Sequence, residues 1–458
     1  SNGSGSTINQ VLTNSSPQLQ SLVYSIIPTS VGPTAAGCSS NPSNFTVNVN
    51  PVPGVSFSVP NQTICSGTST SAVLISSLTS TAQIGWTAVI PAGISGAQAS
   101  GTTTIPVQTL VNTTNSPINI VYTVNVATTT GACSGTGSTY SITVNPIPVL
   151  TFSAANQTIC SGTTTNLINL VSSIAPGFAS GNSFSWNATQ PTGITGIATN
   201  GTSIIPVQTL TNSTLSTLPV DYISSLSFTY NNITCSAPPV VYSIFVKPLP
   251  NSIATPVSAL LCSGNSTSIA LTSSIANPTF TYTVLNSGSI TGASNGSGSS
   301  INQSLVNNTL VVDSVIYQIV ATADGCTGPP ATLTIKVKPN PIATQVQNVA
   351  VCPTNTIGGF NFTSTPVGAT YTWTNTSNTI GLGLSGSGNI PSWNAPSNVS
   401  GGTTSGIISV IPTLNGCIGL PMNFTVSINP TPTLTVVTLD DTICSGTATS
   451  IALSSNVS

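Results

Sequence analysis

The sequence contains no arginine, no glutamate and no histidine, and only three cations and five anions occur among its 458 residues. The charged residues are Lys247, Lys336, Lys338, Asp221, Asp313, Asp324, Asp440 and Asp441. Without histidine, a Ser–His–Asp or Cys–His nucleophile cannot be assembled. Scattered aspartates and lysines do not supply a shared acid–base site, and three lysines cannot neutralise a row of nucleic-acid phosphates. We therefore predict that the protein is not an enzyme, holds no cofactor or metal and binds no nucleic acid.

The sequence also lacks long hydrophobic runs, and none approaches the roughly 18–20 apolar residues of a transmembrane helix. It is not typical of a disordered chain either, because 39% of its residues are hydrophobic and its net charge is only −2. Disordered chains combine low hydrophobicity with high net charge. We expect a folded, soluble region without a transmembrane segment.

The chain is built from internal repeats. The octapeptide NQTICSGT occurs at residues 61–68 and again, unchanged, at 156–163. A Pro-x-Pro motif marks each boundary between repeats, and its first prolines are Pro51, Pro146, Pro248, Pro339 and Pro430. They are 95, 102, 91 and 91 residues apart. The predicted domains are the end of a truncated repeat (1–50), four complete repeats (51–145, 146–247, 248–338, 339–429) and the start of another (430–458). We expect the chain to be a segment of a longer protein.

Each repeat has the pattern of a β-sandwich. Segments such as YSITV and VIYQIV alternate apolar and polar residues with a period of two, and Ser, Thr, Gly, Asn and Pro clusters separate them. Short strands in repeats of 91 to 102 residues, each with a central Trp or Tyr, are typical of immunoglobulin-like domains. The predicted fold is all-β, with tandem immunoglobulin-like β-sandwich repeats forming an elongated rod. The predicted core aromatics are Trp86, Trp186, Tyr282 and Trp373.

Two cysteines fall in each complete repeat: Cys65 and Cys133, Cys160 and Cys235, Cys262 and Cys326, Cys352 and Cys417. We expect these eight residues to form disulfides, with one bridge inside each repeat. Each first cysteine lies just before a strand and each second cysteine lies in a turn-rich segment after one, so pairing between adjacent repeats is the alternative. Free thiols or a metal site are a further alternative. The remaining Cys38 and Cys444 lie in the truncated repeats.

The order of these motifs, from QTICSGT through YTWT, IPVQTL and GC to FTVxVxPxP, resembles a known family. It is similar to the PKD-like, immunoglobulin-like repeats of giant Bacteroidota cell-surface proteins, which include gliding-motility adhesins and other substrates of type IX secretion. The resemblance implies an extracellular or cell-surface location. It also suggests O-glycosylation within Asp-Ser/Thr-apolar motifs, which places candidate sites at Ser314 and Thr442; ordinary turn residues are the alternative.

Three other features carry weaker signals. Trp393 has no counterpart in the other repeats, so it is either an exposed ligand contact or a packed side chain. Asp440 and Asp441 lie near a junction between repeats, where calcium ligands are sometimes found, although calcium prefers more carboxylates than two. Asn-x-Ser/Thr sequons, for example at Asn61, Asn156, Asn232 and Asn361, are expected by chance in this composition.

Together these observations favour a non-catalytic structural region of a long extracellular adhesin or filament. Its expected partners are other copies of the same protein, associating laterally or end to end, because little charge opposes their contact. The alternative is an array of modules that binds a polysaccharide or an abiotic surface.

Overall fold

A computed structural model describes residues 2–30, 37–129, 133–437 and 442–457. It divides into two compact units, Ser1–Val246 and Lys247–Ser458. Strands form nearly all of its regular structure, and the only helices among the described residues are short 3-10 turns at Pro176–Gly181 and Asn378–Ile380. None of the described helices has the length and apolar character needed to cross a membrane. The predicted fold class, all-β with tandem immunoglobulin-like sandwiches, is confirmed.

The strands of the first unit follow the repeats. The leading partial repeat contains β1 (Gln20–Ile26) and β2 (Ser43–Val49). The first complete repeat contains β3 (Ser56–Phe57), β4 (Gln62–Cys65), β5 (Val73–Ser76), β6 (Ala82–Val89), β7 (Ile94–Ser95), β8 (Ser100–Gly101), β9 (Thr104–Ile105), β10 (Val111–Asn112), β11 (Ile118–Thr128) and β12 (Ser138–Asn145). The second contains β13 (Leu150–Phe152), β14 (Gln157–Cys160), β15 (Ile168–Ser172), β16 (Asn182–Ala188), β17 (Ile194–Thr195), β18 (Asn200–Gly201), β19 (Ile204–Ile205), β20 (Thr211–Asn212), β21 (Leu218–Tyr230), β22 (Ile233–Ser236) and β23 (Val240–Lys247).

The second unit repeats this order. The third repeat contains β24 (Ile253–Thr255), β25 (Ser258–Cys262), β26 (Ile269–Thr272), β27 (Thr279–Asn286), β28 (Ile290–Thr291), β29 (Gly296–Ser297), β30 (Ser300–Ile301), β31 (Val306–Asn307), β32 (Asp313–Ala323), β33 (Cys326–Thr327) and β34 (Ala331–Lys338). The fourth contains β35 (Ile342–Ala343), β36 (Val349–Val351), β37 (Thr356–Ile357), β38 (Ser364–Thr365), β39 (Thr370–Asn375), β40 (Ser385–Ser387), β41 (Trp393–Asn394), β42 (Thr404–Leu414), β43 (Cys417–Ile418) and β44 (Met422–Ile428). The final segment contains β45 (Leu434–Val436) and β46 (Leu453–Ser455).

Each complete repeat has the same larger sheet. In the first repeat its order is β4-β12-β11-β6-β8, and the corresponding orders are β14-β23-β21-β16-β18, β25-β34-β32-β27-β29 and β36-β44-β42-β39-β40. In the first, third and fourth repeats the sheet is antiparallel except at one edge, where the first of these strands pairs in parallel with the last strand of the repeat. In the first three repeats, a three-stranded sheet such as β3-β5-β9 forms the opposite layer. This parallel edge determines where the cysteines lie.

Strict alternation builds the core between the layers. Along β11, the side chains of Ile120, Tyr122 and Val124 are fully buried, and the residues between them are exposed. Four hydrophobic clusters result, and each one contains residues of a single repeat. The exact repeat boundaries remain predictions.

Candidate functional site at the joints between repeats

Two disulfides join neighbouring repeats. Cys65 of the first repeat is bonded to Cys235 of the second, with their Cα atoms 5.6 Å apart. Cys262 of the third repeat is bonded to Cys417 of the fourth, at a Cα–Cα distance of 5.4 Å. For these four cysteines, the predicted pairing within a repeat is wrong, and the alternative of pairing between adjacent repeats is correct.

The parallel sheet edge explains why a repeat does not bridge its own cysteines. Cys262 ends β25 and lies opposite Lys338, the last residue of β34. Val337, next to Lys338, pairs with Asp313 of β32. Cys326 pairs with Ala323 at the other end of β32. At about 3.3 Å per residue, this ten-residue separation along β32 places the two cysteines roughly 33 Å apart along the sheet, whereas a disulfide requires Cα atoms within about 7 Å. The two cysteines of a repeat therefore lie at opposite ends of its sheet.

A tight hairpin carries the second cysteine of each pair. In the second repeat, the β21–β22 hairpin turns through Asn231 and Asn232, whose φ angles are 49° and 60°. In the fourth repeat, Asn415 and Gly416 turn with φ angles of 50° and 81°. Two successive residues with positive φ match the type I′ turn, which favours Asn and Gly. Each hairpin thus places its cysteine against the preceding repeat. Both of these cysteines, Cys235 and Cys417, are buried.

Side chains at one sequence position reinforce these hairpins. Asn145, just before the Pro-x-Pro motif, is fully buried, and its Nδ2 donates to the carbonyls of Tyr230 at 3.0 Å and Ile233 at 3.3 Å. Lys338 holds the same position in the third repeat, and its Nζ donates to the carbonyl of Asn415 at 2.7 Å. The end of the last strand, which lies opposite the bonded cysteine, therefore also binds the hairpin turn of the next repeat. We call the disulfide and this hydrogen bond together the clasp.

Lys247 occupies the equivalent position in the second repeat and donates to the carbonyl of Asp324 at 2.7 Å. Two of the three lysines therefore serve as donors to hairpin turns. The structure thus assigns a role to these rare charges that their scattered positions in the sequence did not suggest.

The other cysteines differ in state. Cys160 and Cys326 are also disulfide-bonded. Cys352, at the position equivalent to Cys65 and Cys262, is an exposed thiol, so its predicted disulfide is wrong, because its predicted partner Cys417 is bonded to Cys262. Cys444 is also an exposed thiol. Cys38 is exposed and Cys133 is half-buried.

We expect removal of the lysine donor to weaken the joint between the third and fourth repeats by a modest amount. Replacing Lys338 with methionine keeps most of the side-chain length but deletes the bond to Asn415. The free energy of unfolding should fall by about 0.5–1.5 kcal/mol, as for a typical hydrogen bond. Urea denaturation measures this change. Lys336→Met is the matched control, because Lys336 lies exposed on the same strand, and it should change the free energy by less than the Lys338 variant.

A buried asparagine recurs in every repeat and was not identified from the sequence. Asn112, Asn212, Asn307 and Asn398 are each buried. In each case the asparagine Nδ2 donates to the backbone carbonyl of the last apolar residue in the final strand of the repeat, and also to the backbone carbonyl four residues later in the sequence. The asparagine Oδ1 accepts from the backbone N–H of the Ser or Thr two residues later. This bonding accounts for an Asn-x-Ser/Thr sequence at each position without any glycan. The recurrence of this Asn-x-Ser/Thr sequence at the same position of each repeat was the sequence feature that could have identified the buried asparagine.

A second buried polar group connects the layers of the first three repeats. The phenol of Tyr317 donates to Gln303 Oε1 at 2.6 Å, and the backbone N–H of Gln303 donates to Thr267 Oγ1 at 2.8 Å. Tyr122 with Gln108 and Tyr222 with Gln208 repeat the arrangement. Burial raises the pKa of Tyr317 to about 12, with a smaller contribution from nearby Tyr282.

We expect Tyr317 to limit stability in strong alkali. Its pKa is raised in the folded chain above the ordinary value of about 10, so the folded state favours the neutral phenol. This contribution to stability is present below about pH 10 and is lost as the pH rises towards 12. Phenolate absorbance at 295 nm should therefore show a tyrosine that ionises near pH 12 and disappears in Tyr317→Phe. Ionisation of all tyrosines near pH 10 would contradict this expectation.

The four predicted core aromatics lie inside their sandwiches. Trp86 and Trp186 are 1% and 2% exposed, and Tyr282 and Trp373 are each 8% exposed. The indole N–H of Trp186 donates to the carbonyl of Ile204 at 2.8 Å, and Gly201 lies against the ring so closely that a Cβ there would overlap it. These rings offer no open face on which a sugar could stack.

Trp393 is half-buried. Its Nε1 donates to the carbonyl of Ile380 at 2.8 Å, and its ring lies 6.1 Å from that of Phe360. It pairs through β41 with β37, at Ile357. These contacts are those of a packed side chain.

The candidate glycosylation sites differ in their surroundings. Ser314 is half-buried in β32, next to Asp313, whose carboxylate accepts from the backbone N–H groups of Ser289 and Ser314 at 2.8 Å each. Those two bonds lower the pKa of Asp313. Thr442 is exposed. Asp440 and Asp441 lie outside the described residues. Within the described part of the chain, no three His, Cys, Asp or Glu side chains are grouped so that they could hold a metal.

Comparison with known proteins supports the repeat architecture. A family described as "PKD-like domain" matches residues 1–53, 62–148 and 259–341. These segments fall in the leading partial repeat and in the first and third complete repeats. The chain is thus similar to PKD-like repeats over these segments. No curated protein sequence matches it significantly.

Solved structures with tandem extracellular domains are also similar. The extracellular domain of protocadherin GammaB4 is 11% identical, with 90% of this chain and 72% of that one covered and a TM-score of 0.31. The human desmocollin-1 ectodomain is 12% identical, with 85% and 84% covered and a TM-score of 0.26. Immunoglobulin domains 1–5 of Sidekick-1 are 13% identical, with 90% and 95% covered and a TM-score of 0.24. These scores are low, and the fold assignment depends on the strand order described above.

Proposed function

We propose that the chain is a non-catalytic structural region of a long extracellular adhesin or filament, in which covalently joined sandwich repeats form a stalk. The clasp carries this proposal: Cys65–Cys235 and Cys262–Cys417 join neighbouring repeats rather than closing single ones. A single binding domain requires only its own stability. Covalent bonds between domains are chiefly useful when neighbouring domains must stay attached to one another along the chain. Disulfides persist in oxidising surroundings, which supports an extracellular location.

The resemblance to Bacteroidota surface repeats supports a more specific proposal. In this proposal the chain belongs to a giant cell-surface protein of the gliding-adhesin type, exported by type IX secretion. Its repeats begin and end near the Pro-x-Pro motifs, with boundaries at 51–145, 146–247, 248–338 and 339–429. Thr442, being exposed, is a better candidate for O-glycosylation than half-buried Ser314.

Self-association forms part of the proposal, and the sheet faces favour it more than the sheet edges do. The edge strand β8 is only two residues long, and short edge strands discourage edge-to-edge pairing. On the outer face, Val89 and Val121 are cross-strand partners that are 84% and 41% exposed. Ile223 and Val241 form a similar exposed pair in the second repeat. Such uncharged aliphatic faces can pack against other copies.

Sedimentation velocity and negative-stain imaging of the 458-residue chain would test self-association. We expect oligomers or fibres at micromolar concentration that persist at high salt, because the contacts carry little charge. Val89→Lys with Val121→Lys should reduce association. Thr102→Lys, in an exposed turn, is the control with the same type of added charge. Monomers at every concentration would refute self-association and leave only an unassociated stalk.

The alternative of a polysaccharide- or surface-binding array has less support. Its natural contacts would be exposed aromatic rings, but the four recurring aromatics are buried and the indole N–H of Trp393 is already bonded. Binding to a glycan array that is lost in Trp393→Ala would revive this alternative.

A further inference from the structure

We propose that the disulfides Cys65–Cys235 and Cys262–Cys417 act as a tension bypass, which limits how far the chain can be stretched even when its domains unfold. This inference deepens the structural role proposed above by assigning it a mechanical property. It depends on which cysteines are bonded and not on the strength of any sandwich.

The positions of the bonds define the path of force. Cys65–Cys235 closes a loop with a sequence separation of 170 residues, and Cys262–Cys417 closes one of 155 residues. Tension applied along the chain crosses each bond directly and bypasses the loop it closes. Only the 27-residue stretch from Cys235 to Cys262 then remains extensible between Cys65 and Cys417. At about 3.5 Å per residue this stretch reaches roughly 95 Å.

Pairing inside each repeat would behave differently. It would bypass the four domains but leave three linkers, from Cys133 to Cys160, Cys235 to Cys262 and Cys326 to Cys352, which contain 27, 27 and 26 residues. Their combined reach would be roughly 280 Å. The observed pairing therefore reduces the extensible length of the same segment about threefold. Any further bond, such as those of Cys160 and Cys326, can only shorten the path.

Each disulfide is attached at both ends to strands that are hydrogen-bonded within a sheet. Each bond connects the end of the parallel edge strand in one repeat to a hairpin in the next, so tension enters and leaves through hydrogen-bonded sheet. Gln62–Cys65 is paired with β12, and Ile233–Ser236 is paired with β21. Asn145 adds the hydrogen bonds of the clasp beside the first disulfide. The bypass is therefore anchored in the two sandwiches rather than in loose loops.

Force spectroscopy on the 458-residue chain, held by handles at its two ends, tests this proposal. Complete reduction converts each disulfide, with two electrons and two protons, into two thiols. We expect the fully stretched contour length to increase on reduction by about 1,100 Å, the reach of the two bypassed loops. The Cys65→Ser, Cys235→Ser double variant should lengthen under oxidising conditions by at most about 600 Å, the reach of the opened 170-residue loop, because the bonds of Cys160 and Cys326 can only shorten the path. Cys352→Ser is the matched control and should not change the length, because Cys352 is in no disulfide.

Two results would overturn the proposal. One is an oxidised chain that stretches as far as the reduced chain. The other is an oxidised chain whose length shows three open linkers, as pairing within repeats requires. Neither result depends on self-association, so failure of the bypass can be distinguished from failure of the proposed assembly.

Discussion

Replacing Asn212 with alanine should lower the free energy of unfolding by about 3 kcal/mol. Its Nδ2 donates to the carbonyls of Val246 at 2.7 Å and Ser216 at 2.8 Å, and its Oδ1 accepts from the backbone N–H of Thr214 at 2.9 Å. Alanine leaves these groups without partners, and each buried polar group left unsatisfied costs about 1–3 kcal/mol. Urea denaturation of the wild-type and variant chains would measure the loss.

A matched control lies in the same repeat. Asn200 also begins an Asn-x-Thr sequence, but it is exposed, and we expect Asn200→Ala to change stability by less than about 0.5 kcal/mol. Asn212→Asp should cost more than the alanine variant, since it places carboxylate oxygens against carbonyls and removes both donors. Equal, small effects of Asn212→Ala and Asn200→Ala would show that the buried hydrogen bonds contribute little.

The fold was largely predictable because its determinants are local. Alternation such as that in β11 fixes which residues face the core, and recurring aromatics such as Trp86 mark a central strand of each sandwich. The spacing of Pro51 and Pro146 identifies the repeat length directly. None of these signals requires knowledge of which strands pair.

The joints were less predictable because they depend on pairing between distant strands. Cysteine spacing within a repeat suggests internal bridges, but the parallel pairing of β25 with β34 places Cys262 and Cys326 at opposite ends of one sheet. Parallel pairing has no marker in the sequence. The roles of Lys338 and Asn145 were hidden for the same reason, since their partners belong to the following repeat.

The disulfide Cys65–Cys235 should contribute about 5 kcal/mol to stability in the chain-entropy model for a loop of 170 residues. We expect the Cys65→Ser, Cys235→Ser variant to lose roughly 3–5 kcal/mol, since measured losses for native disulfides commonly fall in or below this range. Without the covalent bond, the first and second repeats should also unfold in separate steps. Denaturant unfolding followed by tryptophan fluorescence detects both effects, because Trp86 and Trp186 are buried in different repeats.

Cys352→Ser controls for the loss of a thiol, and it should leave the unfolding curve unchanged because Cys352 is exposed and unbonded. A double variant that unfolds like the wild-type chain would mean that the clasp stabilises the joint through Asn145 and packing, with the disulfide adding little. If instead the variant loses stability and its first and second repeats unfold in separate steps, the bond couples neighbouring sandwiches into one cooperative unit. Such coupling would suit the proposed stalk, because a repeat that unfolds independently of its neighbours increases the length of a chain under tension.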